Sequence, residues 1–158
     1  MAAAPSGPPL HVFLLAGQSN MKGEALVSDL ARTGSDWVST DGSWRSQTSV
    51  FHMPCGAPYN LTVQCWEYCT NFGPELQLGA HLGRHLDAPV LLIKAAWGSK
   101  SLASDFRPPS AAGSVGQSYL DMVDRVTTTL ELLPTRLPHL ASHTPSIAAL
   151  VWWQGWGD

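Results

Sequence analysis

Three short, almost uninterrupted apolar runs constrain this chain most. They are residues 10–16, "LHVFLLA", 89–96, "PVLLIKAA", and 147–153, "IAALVWW". Runs of this kind suit strands buried on both faces, as in a parallel sheet covered by helices. Between them lie stretches with helical period. In 117–133, "QSYLDMVDRVTTTLELL", the apolar positions Leu120, Val123, Val126, Leu130 and Leu133 fall on one helical face. In 73–87, "GPELQLGAHLGRHLD", Pro74 stands where a first helical turn accepts proline, and Leu78, Leu82 and Leu86 recur every four residues. Buried strands alternating with helices predict an α/β fold.

Each apolar run stops at a polar, glycine-bearing turn. The first delivers Gly17, Gln18, Ser19 and Asn20; the second ends in "WGSKS", 97–101; the third in "QGWGD", 154–158. In an open α/β sheet, ligands bind beyond the carboxyl ends of the strands. The three polar clusters are therefore expected together at one edge. The segment 34–71 has a different composition, rich in Ser, Thr, Gly, Trp and Cys without sustained period. It reads as an irregular insertion running over the surface. Residues 1–9 read as a disordered lead-in to a single domain over 10–158. The Pro-rich stretches 107–110 and 134–145 read as connectors, and no internal repeat is present.

Composition removes several function classes. A net charge of -3 with no basic cluster gives no electrostatic case for nucleic acid. No apolar stretch approaches the ~18–20 residues of a membrane span. The N-terminal "MAAAPSGPPL" lacks the basic region of a signal peptide, so the chain reads as cytoplasmic as written. Cys55, Cys65 and Cys69 are odd in number and lack standard ligand spacing, so neither a closed disulfide framework nor a metal site is expected. No cofactor motif appears. His81 and His85 share a helical face at i, i+4, a spacing that binds metal when a third ligand is near, but none suggests itself. Solvated or packed histidines are the plainer reading.

Serine at a strand end is a turn residue or a helix cap more often than a nucleophile. "GQSNM" also fails the hydrolase elbow G-x-S-x-G, because Met21 replaces the last glycine. The longer string is more specific. "FLLAGQSNMKG" resembles the nucleophile block of the SGNH hydrolases, in the sialate O-acetylesterase-like branch that includes carbohydrate esterase family 6. "FGPELQLGAHL", "VLLIKAAWGSKSLASDFRPPS" and "LVWWQGWGD" are similar to further blocks of that family, in the family's order.

The resemblance implies a three-layer α/β/α sandwich with a parallel, flavodoxin-like sheet, and metal-free ester hydrolysis. It implies Ser19 as nucleophile, with its own backbone N–H as one oxyanion donor. Gly98 would supply a second N–H at a place too close to the oxyanion for a side chain, and the Gln154 side-chain amide a third. The family often carries two glycines where this chain has Gly98 and Ser99. The family's base is a late histidine, three positions after an acidic residue. None of the six histidines here follows "QGWGD" in that arrangement, so the domain is expected to be incomplete at its C-terminal end. Members of the family are often secreted.

Around the implied site, Asn20 adjoins the nucleophile. Trp97 and Trp156 are placed to stack on a sugar ring, and Lys100 and Arg107 to meet a carboxylate on an acidic sugar or simply to be solvated. Of Trp152 and Trp153, at least one should be core. The implied partner is a small-molecule or glycan substrate, with neither nucleic acid nor membrane, and the oligomeric state is left open. Two functions compete: a serine esterase acting on O-acetylated carbohydrate, and a catalytically incomplete glycan-binding or regulatory remnant.

Overall fold

The first apolar run forms the strand around which the molecule is organised. In the computed structural model, which describes residues 7–32, 37, 41, 45–53, 59–62, 70–155 and 158, it is β1 (Pro9–Gly17). The second run is β6 (Val90–Ala96) and the third is β7 (Thr144–Trp153). Both pair with β1 in parallel, with Gly17 opposite Ala96 on one side and Trp153 on the other. The carboxyl ends of all three strands therefore finish level. The order β6-β1-β7 puts the first strand between the two that follow it in parallel.

The intervening elements are, in chain order, α1 (Ser19–Lys22), β2 (Ala25–Leu26), α2 (Val27–Arg32), β3 (Ser46–Met53), β4 (Tyr59–Thr62), β5 (Asn71–Phe72) and α3 (Glu75–His85). After β6 come α4 (Gln117–Glu131), α5 (Leu133–Arg136) and a 3-10 turn at Pro138–Leu140. The main sheet runs β4-β3-β6-β1-β7, with β3 parallel to β6 and β4 antiparallel to β3. A separate two-stranded ribbon pairs β2 with β5.

The core divides into two clusters by the alternation of the central strands. Leu15, Val90 and Leu92 pack with Met21, Leu76 and Ala80 from α1 and α3. Leu10, Val12, Leu91 and Ile93 pack with Leu133, Leu137 and Leu140. Fully burying each such side chain contributes about 1.5–3 kcal/mol, which is what holds helices to the sheet. No helix among the described residues is long and apolar enough to cross a membrane.

Five expectations need correcting. The segment 34–71 is not an irregular insertion where it is described, because β3 and β4 extend the main sheet and bury Val50, Phe51 and Leu61. Their sequences hide this: "SQTSVFHM" is polar for half its length, so neither alternation nor an apolar run announces it. Cys55, Cys65, Cys69, Trp44 and Trp66 lie outside the described residues, whereas Trp37 is core. The lead-in is ordered at its end, since Pro8 accepts a hydrogen bond from the Thr144 amide (2.8 Å) and β1 begins at Pro9; residues 1–6 lie outside the described residues.

The remaining corrections concern exposed apolar surface. On α4, Val126 and Leu130 pack inward, but Leu120 and Val123 are exposed, while Ser118 and Thr129 are buried. Neither Trp152 nor Trp153 is core; they are 39% and 51% exposed. The cause is position: β7 is the edge strand of the described sheet, so Ile147 and Leu150 are exposed with them. The α3 stripe also turns out differently, with Leu76, Gly79 and Ala80 at its buried centre and Leu78, Leu82 and Leu86 at its margin. Gly79 allows that approach: a Cβ there would lie 2.2 Å from Leu61.

Candidate active site

Three chain segments meet at the carboxyl ends of β6, β1 and β7, and backbone hydrogen bonds stitch them together. The Trp97 amide donates to the Gly17 carbonyl (3.2 Å), and the Gln18 amide donates to the Trp153 carbonyl (3.1 Å). Gly17 makes this possible. Its φ is 145°, and a Cβ would sit 2.0 Å from the Trp153 carbonyl oxygen. A side chain at position 17 would force β7 away from the turn. Ser19 then opens α1, whose single turn is closed by the Gly23 amide on the Ser19 carbonyl (2.8 Å) and by Met21, fully buried beneath.

A cleft of about 210 Å³ lies at this edge, lined by Gln18, Asn20, Trp153, Gln154 and Gly155. It sits between β1 and β7, where the direction of strand addition reverses, the kind of crevice in which open α/β sheets bind ligands. Asn20 and Gln154 are thus brought into one cleft, and Ser19 stands between two lining residues. Gln18 is 5% exposed, and its side-chain oxygen has no hydrogen-bond partner among the described residues; the Gln154 side-chain oxygen has none either. The Gln154 amide nitrogen donates to the Lys100 carbonyl (2.8 Å) and points its second proton towards Asp158 at 3.4 Å, longer than a well-formed bond. Asp158 also accepts from the Leu102 amide, so it ties the third cluster to the second.

The turn after β6 supplies Gly98. A Cβ built there meets nothing within 4 Å, so protein packing does not demand glycine at this position; the open space faces solvent. Ser99 has φ 56°, the left-handed region where a glycine would be unstrained. Behind it the loop is self-braced. Asp105 accepts from the Ser101 amide (2.9 Å) and from Lys100 Nζ (3.0 Å), and Arg107 Nη1 donates to the Ala103 carbonyl (2.8 Å). Lys100 and Arg107, read as meeting a sugar carboxylate or as solvated, are engaged within the loop. Trp97 is likewise committed: Arg125 lies 5.1 Å over its ring and Phe106 is 6.0 Å away. Trp156 lies outside the described residues.

The Ser101 amide, then Lys100, hold Asp105 below the ordinary carboxylate range. A depressed carboxylate pKa contributes stability above its unfolded value that is lost as pH falls through the folded value. The Asp105 contacts are therefore expected to hold from neutral pH down to the carboxylate range and to weaken below it. The hydrogen-exchange protection factor of the Ser101 amide, taken relative to the unfolded rate at each pH, checks this: its fall at acid pH should be absent in Asp105→Asn.

Two buried charges escaped the sequence reading. Lys94 Nζ meets Glu75 Oε2 at 2.6 Å, with side chains 9% and 8% exposed. Burial pushes the Lys94 ammonium below the ordinary lysine value, while the facing carboxylate pulls it up. The signal was present as one lysine inside the run "VLLIKAA", which requires a buried anion nearby. Arg125 also went unnoticed; its Nη1 donates to the Lys94 carbonyl (2.7 Å) while its guanidinium covers Trp97, so it braces both from α4.

The histidines do not gather here. His11 pairs across β1 with Val90 and Ser146, at the amino-terminal half of the sheet. His139 packs against Phe51 at 5.1 Å, and His143 immediately precedes β7. His81 and His85 stack at 6.1 Å on the exposed face of α3. His52 lies in β3, and its side chain is not among those described. No group of three or more His, Cys, Asp or Glu among the described residues is arranged to hold a metal.

The model of the family "Carbohydrate esterase, sialic acid-specific acetylesterase" matches residues 9–158. Among solved structures, a protein of Arabidopsis thaliana is similar with TM-score 0.59 and 20% identity, over 96% of this chain and 59% of that one. NanS is similar with TM-score 0.55 and 14% identity, over 95% of this chain and 55% of that one. This chain thus spans little more than half the length of either. A search of curated proteins returns no match.

Proposed function

Because the chain belongs to the carbohydrate esterase, sialic acid-specific acetylesterase family, we propose that its cleft is built for hydrolysis of O-acetyl esters on carbohydrates through an acyl-serine on Ser19. The observation that carries this reading is that the turns bearing Ser19, Gly98 and Gln154 follow β1, β6 and β7, whose carboxyl ends finish level and are hydrogen-bonded to one another. The three-layer SGNH hydrolase architecture belongs to the same proposal, with helices on both faces of the sheet in its support.

In this mechanism Ser19 Oγ attacks the ester carbonyl carbon and its proton leaves for a base. The carbonyl oxygen becomes an oxyanion, met by the Ser19 and Gly98 amides and by the Gln154 side-chain amide, whose long contact to Asp158 is readily given up. As the intermediate collapses, the protonated base returns its proton to the departing sugar oxygen; water, deprotonated by the same base, then attacks the acyl carbon, and Ser19 Oγ leaves with that proton as acetate is released. Gln18 and Gln154 both line the cleft, and each has a buried side-chain oxygen with no hydrogen-bond partner among the described residues. The exposed Trp153 ring offers a stacking face in the same cleft.

The second reading, a glycan-binding module without turnover, is favoured by one observation: every histidine side chain described lies away from Ser19. Mass spectrometry after incubation with p-nitrophenyl acetate separates the two. Acetyl on the peptide carrying Ser19 supports the esterase. Binding of an O-acetylated sugar with no acetyl-serine, even on long incubation, hands the cleft to the binding module.

A further inference from the structure

The buried pair Lys94–Glu75 does not touch the cleft, yet it is joined to Ser19 by an unbroken line of contacts. Glu75 uses one carboxylate oxygen for Lys94 (2.6 Å) and the other for the Gly73 amide (3.0 Å). Gly73 in turn lies against Gly23. A Cβ on Gly23 would fall 2.5 Å from the Gly73 nitrogen, and one on Gly73 would fall 3.0 Å from the Gly23 Cα. Gly23 then donates its amide to the Ser19 carbonyl. No side chain intervenes between the two glycines, so movement of the 72–75 turn is transmitted directly to the end of α1.

We propose that Glu75 and Lys94 are positioning residues that set the place of Ser19, through the Gly73–Gly23 backbone contact. The inference rests on Ser19 being the nucleophile. The physical case is one of stiffness. A single-turn helix is too short to hold its own geometry, and Met21 is the one buried side chain that α1 contributes. An ion pair closed from water, anchored in β6 beside the strand that leads into the nucleophile turn, supplies the second fixed point. Lys94 stands opposite Leu15 in the register, two residues before the Ala96–Gly17 pair, so the anchor and the nucleophile turn share one rigid piece of sheet. Surface charge would not do this, because exposed pairs are weak and mobile.

The test uses the full 158-residue chain and the double variant Glu75→Gln/Lys94→Met, which removes both charges together and so avoids leaving one stranded. Two readouts are taken: hydrogen exchange over residues 18–24, and acylation of Ser19 by p-nitrophenyl acetate with a fluorophosphonate as second probe. The double variant should remain folded by circular dichroism. Exchange at the Gly23 amide should rise about tenfold or more, and acylation should fall roughly 10- to 100-fold, the scale of a nucleophile displaced by about an ångström. The loss should fall on the acylation rate and leave KM within a few-fold. Unchanged acylation in a folded double variant overturns the proposal, whatever exchange does; so does a loss confined to KM. If the unsubstituted chain takes up neither probe at Ser19, the esterase reading fails, and unchanged exchange at Gly23 then overturns the positioning role separately. If the double variant does not fold, Lys94→Met/Glu75→Met with matched apolar volume replaces it under the same criteria.

Discussion

Ser19→Ala should abolish uptake of acetyl and fluorophosphonate groups and reduce p-nitrophenyl acetate hydrolysis to the rate of an inert protein. The expectation follows from the division of labour in the cleft. In the proposed mechanism the oxyanion donors are backbone and amide groups that survive the substitution, but no covalent intermediate forms without the hydroxyl. The unsubstituted chain should itself be slow. A general base contributes about 10²–10⁴-fold, and none of the described histidines stands near Ser19. A form extended to carry an acid-x-x-His after "QGWGD" should gain on the order of a thousandfold or more, and Ser19→Ala should erase that gain entirely. Steady-state rates of the four proteins decide the matter. Full esterase rates in the 158-residue chain would make an internal histidine the base, with His52 the first to examine.

Lys94→Met alone should be among the most destabilising single substitutions in the molecule. It leaves the Glu75 carboxylate buried, with the Gly73 amide as its one remaining partner among the contacts described. Breaking one side of a buried pair costs about 3–5 kcal/mol, because the stranded charge is not rehydrated. For a domain of this size each kcal/mol moves the melting temperature by about 2–4 °C, so a fall of roughly 6–20 °C is expected. Adding Glu75→Gln should recover most of it. Thermal unfolding by circular dichroism reads both. A single variant as stable as the parent would mean that water reaches the pair.

The central strands and the placement of the cleft were legible because they rest on continuous apolar runs. Such runs have few alternatives to a buried parallel strand, and their polar ends mark where the chain leaves the core. The strand β3 was illegible for the opposite reason. Val50 and Phe51 are its only apolar residues before Met53, and the first four positions are Ser, Gln, Thr and Ser. Tertiary pairing with β6, not local pattern, makes this a strand. The aromatic residues misled through assumed surroundings. Trp152 and Trp153 look like core when the strand is imagined in mid-sheet, whereas β7 stands at the edge of the described sheet. Nothing in the local sequence at Trp97 announces Arg125, some thirty residues on, which lies over its ring.

The pairing of β1 with β7 has a consequence in time. Pro9 pairs with Thr144 and Gly17 with Trp153, so the turn carrying Ser19 is braced by a strand that follows it much later in the sequence. On the ribosome, β1 emerges before β6 and can meet it only after Ala96 has been made. The Gln18 amide finds the Trp153 carbonyl later still. Contacts this distant in sequence form slowly. Throughout synthesis, one edge of β1 stands open as a template for other strands. A nascent chain therefore has no cleft, and Ser19 acquires its surroundings only when the last described strand docks.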